Sequence, residues 1–532
     1  MRNLATISFI LIVVNLFGQS ETQKLCDLGR SQSKKVVTNI YDASHVVPID
    51  TATSITELLY LFGAQETQIL EVVHQQRFNS LGRVVLKHLM SSGNGSLLYD
   101  NFRTVKSSIS STINRDKFDN QVSLEYFKDG RSLNGGIKKD SAFTNTDLSQ
   151  DFLEVNLSNN SSSYSRFLFK QDLSLLIRRK LWLIPSIEYI NEDRNYSGNG
   201  NTDSSFFTNV YYDENQLVDY YRWRRVNPSI GVAIRDSTCQ LSASIISHND
   251  YYMNRDKLNW QGLGAKLVVN RVKTTNQLRA KAEYHFSGYR KGGYKVQLRT
   301  GFFRDTSNRI SADISSSLLP PKIYQIKYYG NHYKWNYNAI HYPWLNSAGL
   351  FYQNTRFKFQ AHISGTTIKD YFYFDTNKVA SQVNKAHFAS LKVKKDFVIG
   401  RFKFPLKTNF NFGQSAEMRL PEASITGGVF VSLKVFKAKL KLDLGGQCNW
   451  FSNYFADRFE PSTGITYLQN DKLIGNYPFV DFAVSSSIKG ASFYFMALHV
   501  NENLTGRNYY TRPDYLEIGS RFIFGVKWRF VN

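Results

Sequence analysis

The sequence predicts an all-β protein that forms a single transmembrane antiparallel β-barrel with an even number of strands, about 16 to 22. Three observations favour this fold class. Apolar and polar residues alternate along much of the chain, short polar breaks reverse the phase of that alternation, and long polar connections follow at the other ends of the same hairpins. Because successive side chains of a strand point to opposite faces, each strand can have one lipid-facing side and one wet side.

The composition agrees with this fold class and excludes several others. Of the 532 residues, 42% are hydrophobic and 15% are aromatic, with 33 Gly and 11 Pro, which is typical of neither disordered nor collagen-like chains. A helical membrane bundle would need several apolar runs of about 20 residues, and none follows the N-terminal apolar stretch. The three cysteines are an odd number without metal-ligand spacing, which excludes a disulfide-dense scaffold.

The N-terminal part is predicted to contain two different segments ahead of the barrel. Residues 1–20 have a basic start, an apolar stretch and small residues at the end, which is the layout of a secretory signal peptide. Residues 21–82 are expected to lie in the periplasm or to enter the lumen as a small plug. Ser54 and Glu57 resemble a capping box ahead of an apolar run, which favours a short helix there. Residues 83–532 are then the barrel.

The hairpins are read from changes in the phase of alternation. From Val429 to Val435 the apolar residues fall on odd positions, and from Phe436 to Leu444 they fall on even positions, so a tight turn is expected at 435–437. Similar alternation and further short turns occur elsewhere. The alternating segments are 173–189, 278–286, 357–363 and 402–412, and the short turns are 235–237, 394–396 and 489–490.

The opposite ends of the hairpins are joined by long connections rich in Asn, Asp, Gly, Ser and Tyr. These connections are 191–216, 365–384, 451–477 and 501–514. Short turns at one end and long loops at the other are typical of outer-membrane barrels, which have short periplasmic turns and longer extracellular loops. The segment 323–344 does not show a clear pattern, so the parity of the strand count is not fixed there.

The residues that alternate with the apolar face are expected to line the lumen, and many of them are basic. The candidates are Arg279, Lys281, Arg356, Lys358, Arg401, Lys403, Lys407, Lys437, Lys439, Lys441, Arg521, Lys527 and Arg529. Together with a formal net charge of +23, they predict a wet, basic lumen. Two interpretations stay open: the basic side chains merely solvate the interior and its rim, or they favour the passage of anions.

Other function classes find little support in the sequence. A large positive charge can indicate nucleic-acid binding, but here the basic residues are spread along strands and the signal peptide directs the chain out of the cytoplasm. No HExxH, Walker or GxSxG motif occurs, and the ten histidines lack metal-ligand spacing. We therefore expect no enzyme, no cofactor, no metal and no nucleic-acid partner.

The C-terminal part resembles the putative porin family of Bacteroidota-type outer membranes. The segments that carry the resemblance are Gly475-Asn476-Tyr477-Pro478, His499-Val500-Asn501, Leu504-Thr505-Gly506 and Gly525 to Phe530. The resemblance implies a porin-type barrel in the cell outer membrane and brings no catalytic residue. Barrel chains of this kind usually end on an aromatic residue, whereas here Phe530 is followed by Val531 and Asn532. Trp528 and Phe530 are accordingly expected to be the signal that barrel-assembly machinery recognises.

Two functions are compatible with these expectations. The first is a passive or weakly selective pore for small solutes, surrounded by outer-membrane lipid. Whether this pore favours anions stays open. The second is a non-conducting barrel that serves as a subunit of an outer-membrane assembly, secretion or uptake complex, with its long extracellular loops as docking surface for protein partners.

Overall fold

The wall of the molecule is a closed antiparallel β-barrel in a computed structural model of the chain. The structure describes residues 54–78, 82–139, 143, 150–199, 206–212, 216–303, 305, 307–337, 340–413, 415–437 and 439–531. The predicted signal peptide, residues 1–20, lies outside this described part. Within that part, no helix has both the length and the apolar character needed to cross a membrane.

Twenty-two strands form the wall. They are β1 Ser54–Gly63, β2 Thr67–Phe78, β3 Gly82–Asn94, β4 Asn101–Arg115, β5 Phe118–Ser132, β6 Ser161–Arg178, β7 Leu181–Leu183 continued by Ser186–Asn199, β8 Gln216–Arg235, β9 Cys239–Met253, β10 Lys257–Val272, β11 Asn276–His285, β12 Tyr294–Phe303, β13 Asn308–Leu318, β14 Trp344–Asn354, β15 Phe359–Phe374, β16 Ala380–Ile399, β17 Phe402–Phe412, β18 Ala423–Val435, β19 Leu440–Phe451, β20 Phe479–Ile488, β21 Ala491–Leu498 and β22 Arg521–Val531.

Each strand pairs with its sequence neighbours, and β1 pairs with β22 to close the ring. The two parts of β7 count as one strand because both pair with β6 and β8. Pro185, which has no backbone N–H, lies in the short interruption between them. Closure satisfies every strand edge, which lipid requires because it offers no hydrogen bonds to an unpaired backbone. The predicted fold class and the even strand number are therefore confirmed.

The two ends of the barrel differ as the sequence predicted. At the end where β1 begins, which we call the turn end, the connections are tight turns such as those between β18 and β19 and between β20 and β21. At the other end, the loop end, the longest connections are 133–160, 200–215, 319–343, 452–478 and 499–520. One of them, 319–343, contains the short helix α1 Ile323–Ile326 and a two-stranded ribbon of Lys327–Tyr329 with Lys334–Asn336. The segment 323–344 thus adds only the start of β14 to the wall.

The structure moves the start of the barrel from residue 83 to residue 54. β1 and β2 lie within the segment 21–82 that was expected to precede the barrel, and β1 replaces the short helix expected after Ser54. The helix prediction was wrong because β1 is apolar on both faces. Leu58 and Phe62 point outward and are partly exposed, whereas Leu59 and Leu61 point inward and are buried. Apolar residues on both faces mimic the spacing of a helical stripe.

Two other expectations about connections were also wrong. The segment 365–384 is not a long loop, because β15 and β16 continue through it and leave only the turn 375–379. The segment 394–396 is not a turn, because β16 runs on to Ile399. In both places the strand continues through polar residues beyond the expected apolar band. Polar residues by themselves therefore did not mark the end of a strand.

The outer face carries the apolar residues and has aromatic side chains near both ends. Phe402, Trp528 and Phe530 lie near the turn end, and Phe62, Phe286, Trp344, Phe412 and Phe522 lie near the loop end, all of them exposed. Aromatic girdles at both interfaces around an apolar band are characteristic of transmembrane barrels. The wall is therefore built to face lipid.

Candidate functional site

The inner wall carries most of the predicted basic residues, but not all of them. Eight of the candidates lie on the inward face of wall strands: Arg279, Lys281, Lys403, Lys407, Lys441, Arg521, Lys527 and Arg529. The other five, Arg356, Lys358, Arg401, Lys437 and Lys439, lie exposed in the turns 355–358, 400–401 and 436–439. These five lie at the rim of the turn end. The alternation of apolar residues placed them in strands, but the backbone is still in the turn at these positions.

Four neighbouring strands, β16 to β19, bring the largest group of lysines together. Their inward faces carry Lys392, Lys394, Lys403, Lys407, Lys434 and Lys441, which we call the lysine sector, together with Asp396 and Asp443. Lys394 lies directly opposite Lys407, and Lys434 lies directly opposite Lys441. Like charges at directly opposed positions destabilise a ladder. The sector therefore keeps a positive charge that folding alone does not favour.

The carboxylates of the sector neutralise only part of its charge. Lys403 Nζ lies 3.2 Å from Asp396 Oδ2, and Lys441 Nζ lies 2.6 Å from Asp443 Oδ2. The sector has six lysines and two aspartates, so its formal charge is strongly positive. Sequence reasoning missed Lys392 and Lys394 because it placed a turn at 394–396. The signal was present, since both alternate with the outward Leu391 and Val393.

The rest of the inner wall is not uniformly basic. Lys527 and Arg529 lie 3.8 Å and 3.4 Å from the carboxylate of Glu57, and Lys281 lies 3.4 Å from Glu283. Other inward side chains near the β1–β22 seam form an apolar, buried cluster. They include Leu59, Leu61, Ile69, Tyr494, Met496, Leu498 and Ile523. The lysine sector is thus a local feature of one side of the wall.

At the loop end, the connection 452–478 is attached to distant parts of the ring. It leaves β19 and returns to β20, yet Arg194 of β7 donates to the carbonyl oxygens of Ser462 and Pro461 over 2.6 Å and 2.7 Å. From β20 to β7 is nine strand steps around a ring of 22, close to the opposite wall. The connection therefore extends across the mouth of the barrel.

A buried carboxylate fixes the same connection to a third part of the ring. Glu460 is 1% exposed and accepts hydrogen bonds from Lys378 Nζ at 2.6 Å and from the Tyr333 hydroxyl at 2.8 Å. Lys378 lies in the β15–β16 turn, and Tyr333 lies in the connection 319–343. Burial and the neighbouring carboxylate raise the pKa of Tyr333. Glu460 thus links two loops and one turn above the lumen.

The remaining long loops pack into the same assembly, which we call the loop cap and define as the connections 133–160, 319–343, 452–478 and 499–520. The Ile137 N–H donates to the carbonyl of Asp514 at 2.9 Å, and Gln150 Nε2 donates to that of Glu517 at 3.2 Å. A buried apolar cluster joins these loops. It includes Phe143, Leu153, Ile474, Tyr477, Tyr509, Tyr510 and Leu516.

One carboxyl group of the loop cap is buried, which makes its charged form less favourable than it is in water. Desolvation raises the pKa of Asp457 to about 6, although Arg419 acts in the opposite direction. In the connection 95–100, burial likewise raises the pKa of Asp100 to about 6, against the effect of Arg131. Both groups carry a charge at neutral pH that the packed loops disfavour.

Solved structures of outer-membrane receptors and transporters share this barrel. A mutant of the ferric enterobactin receptor PfeA from Pseudomonas aeruginosa has a TM-score of 0.62 and 8% identity, with 90% of this chain and 80% of that chain covered. The FrpB iron transporter from Neisseria meningitidis has a TM-score of 0.59 and 10% identity, with 91% and 82% covered. At these identities the likeness shows the fold alone.

A third structure, the siderophore receptor PirA from Acinetobacter baumannii, has a TM-score of 0.61 and 9% identity, with 91% of this chain and 81% of that chain covered. No curated protein matches the chain. The sequence does match one family, described as "putative porin", over residues 16–532. This range includes every strand of the wall, so the chain belongs to the putative porin family and is a β-barrel of the cell outer membrane.

Proposed function

We propose that the protein is an outer-membrane pore for passive or weakly selective diffusion of small solutes, and that it favours anions. The observation that carries this proposal is the lysine sector. Its six lysines and two aspartates share one side of the inner wall. A wall of one sign raises the local concentration of counter-ions and lowers the barrier to their passage.

The exposed pair of the sector supports an anion as the passing solute. Lys434 and Lys441 lie directly opposite each other on adjacent strands and are both exposed, whereas Lys394 of the other pair is buried. An anion with two acceptor oxygens, such as a carboxylate or phosphate, can accept hydrogen bonds from two neighbouring ammonium groups.

The loop cap supports limited permeability in the conformation described. Its connections meet across the loop end and are held there by Arg194 and Glu460. We propose that this cap restricts the extracellular mouth and that larger currents require it to move.

Reversal potentials in planar bilayers under a KCl gradient test the anion preference. For the native protein we expect a reversal potential with the sign that a higher permeability for chloride than for potassium produces. The double variant Lys434→Gln/Lys441→Gln should move the reversal potential toward zero, because it removes the exposed opposed pair. The control is Lys439→Gln, which removes an exposed charge in a turn and should change the potential little. A cation preference of the native protein would contradict the proposal.

The runner-up function is a non-conducting subunit of an outer-membrane assembly, secretion or uptake complex. The observation that favours it is the order of the loop cap: its buried aromatic cluster holds the loops in place, and exposed apolar side chains such as Phe152 and Leu504 would suit a docking surface. Affinity purification from native membranes distinguishes the two functions when it is combined with single-channel recording. Absence of conductance together with stoichiometric partners would favour the subunit role.

A further inference from the structure

Two histidines from non-adjacent strands meet inside the wall. His248 lies on β9 and His285 on β11, and the strand between them, β10, places glycines opposite both, Gly262 and Gly264. His285 Nδ1 and His248 Nε2 are 3.0 Å apart. A Cβ on Gly264 would lie 3.2 Å and 3.3 Å from those two nitrogens. The glycine therefore leaves the space that lets the two rings approach each other.

A second layer of hydrogen bonds fixes the tautomer of His248. Asn227 Nδ2 donates to Glu188 Oε1 over 2.9 Å, so the amide oxygen of Asn227 is the atom that faces His248 Nδ1 at 3.0 Å. His248 Nδ1 must then carry the hydrogen, and its Nε2 has a lone pair. An outer partner that orients a histidine in this way is typical of metal ligands.

The consequence for His285 depends on Glu283, whose Oε1 lies 3.5 Å from His285 Nε2. A hydrogen on Nε2 suits this carboxylate neighbour, and the neutral ring then has its lone pair on Nδ1, which faces the lone pair of His248 Nε2 at 3.0 Å. Two lone pairs repel unless a positive centre lies between them. Two ligands at about 2.0–2.2 Å from a tetrahedral zinc ion are separated by about 3.4 Å, so a small movement of the rings admits a metal ion between these nitrogens.

We propose that His248 and His285 bind one divalent transition-metal ion on the inner wall, and that Glu283 orients His285. One nitrogen of each histidine and one Glu283 oxygen lie within 4.8 Å of one another. Imidazole ligands suit Zn²⁺, Cu²⁺ or Ni²⁺ better than Ca²⁺ or Mg²⁺, which prefer oxygen ligands. A carboxylate at the other nitrogen of a metal-binding histidine is a common outer partner, and its loss typically lowers metal affinity about 10- to 100-fold. The histidines are buried, whereas the Glu283 side chain is 17% exposed.

The surroundings are compatible with this assignment. Lys281 Nζ lies 3.4 Å from Glu283 Oε2, so it pairs with the oxygen that does not face His285. The nearby Arg225 and Arg290 are both directed toward Asp250. The cluster lies at the level of the loop-end girdle, because Tyr284 and Phe286 flank His285 in sequence and are exposed on the outer face. The histidine signal was invisible in the sequence, where His248 and His285 are 37 positions apart.

Zinc binding to the folded, metal-stripped full-length barrel in detergent tests the proposal, independently of any conductance. Isothermal titration with Zn²⁺ should show one site per chain. That site should be lost in His285→Gln and weakened at least tenfold in Glu283→Gln. The control is His362→Gln, which removes another buried inward histidine and should leave binding unchanged. The heat-modifiable band on gels checks that each variant is folded.

Electron paramagnetic resonance with Cu²⁺ gives a second readout. Hyperfine structure from two imidazole nitrogens is expected in the native protein and from one in His248→Gln. Absence of a zinc site in the folded native barrel would show that a proton, and not a metal ion, lies between His285 and His248. That result, or full zinc binding by His285→Gln, would overturn the proposal.

Discussion

At the residue scale, the inner wall contains charges that folding alone does not favour. Lys394 faces Lys407 across the β16–β17 ladder, whereas Glu460 in the loop cap receives a lysine, a tyrosine and a serine. The first arrangement concentrates positive charge on one side of the inner wall. The second uses charge to hold loops together. Residues of one chemical type thus have different roles because their partners differ.

Replacing Glu460 tests its role in the loop cap. Removing one partner of a buried ion pair costs about 3–5 kcal/mol, because the other charge stays buried and uncompensated. We expect Glu460→Gln to loosen the connection 452–478 and to raise single-channel conductance or open probability several-fold. The matched control is Asp471→Asn. It removes an exposed partner of Arg458, and surface pairs contribute little. Unchanged currents in Glu460→Gln would show that Glu460 does not hold the mouth.

At the element scale, the seam between β1 and β22 decides whether the barrel closes. Leu61 of β1 lies opposite Gly525 of β22, and both point into the buried apolar cluster of the seam. A Cβ on Gly525 would collide with the Leu61 side chain and lie 3.0 Å from the Tyr60 carbonyl oxygen. Glycine is required here because the strands approach closely, and no positive φ is involved.

Gly525→Val should therefore weaken closure. Overpacking of a well-packed site costs about 1–3 kcal/mol, so we expect a lower urea midpoint for the folded barrel in gel-shift assays. Gly427→Val is the control, because the nearest atom to its Cβ would be Leu406 Cδ1 at 3.8 Å on the outer face. An equal loss of stability in both variants would show that the seam has no special packing.

Truncation after Lys527 tests the end of β22. It removes the four residues that pair with Ile55, Thr56, Glu57 and Leu58, which leaves backbone groups of β1 unpaired in lipid. We expect no assembled barrel in outer-membrane fractions. In the companion variant Trp528→Leu/Phe530→Leu the ladder is kept, so a loss of assembly there would indicate recognition of the aromatic residues. An unchanged heat-modifiable barrel after truncation would contradict the prediction.

At the scale of the whole molecule, the proposed pore gives the wall and the loop cap opposing effects on permeability. In that proposal the basic wall favours anions, while the cap restricts their path at the loop end. The cap contains Asp457, whose pKa is raised to about 6 by burial. A carboxyl group with a raised pKa takes up a proton when its loops close, so closure is favoured as the pH falls through about 6 and disfavoured above it.

Conductance should accordingly fall when the pH is lowered from 7 to 5. Asp100 has the same direction of shift, so both groups contribute with the same sign. We expect Asp457→Asn/Asp100→Asn to flatten the pH dependence of the conductance. At pH 7 this variant should have the low conductance that the native protein has at pH 5, as measured by multichannel currents in planar bilayers. Native currents that rise on acidification would exclude this role of the two groups.

Most of the architecture could be predicted from local patterns. The phase change near Val435, the short turns at 235–237 and 489–490 and the long loop before Tyr477 were visible because a barrel strand repeats every two residues. The structure places the first of these turns one residue later, at 236–238. β1 was not visible, because its inward Leu59 and Leu61 pack at the seam and remove the alternation. The turn residues Arg356 and Lys437 were placed on the wall because the apolar phase changes before the backbone reverses.

The sequence by itself determined the barrel, its two different ends and its apolar outer face. These follow from alternation, which is a property of residues near each other in the chain. Only the tertiary structure decided which charges meet. The opposed lysines, the attachment of Arg194 to Ser462 across the mouth and the approach of His248 to His285 all depend on strand register and ring closure, which join residues far apart in the chain.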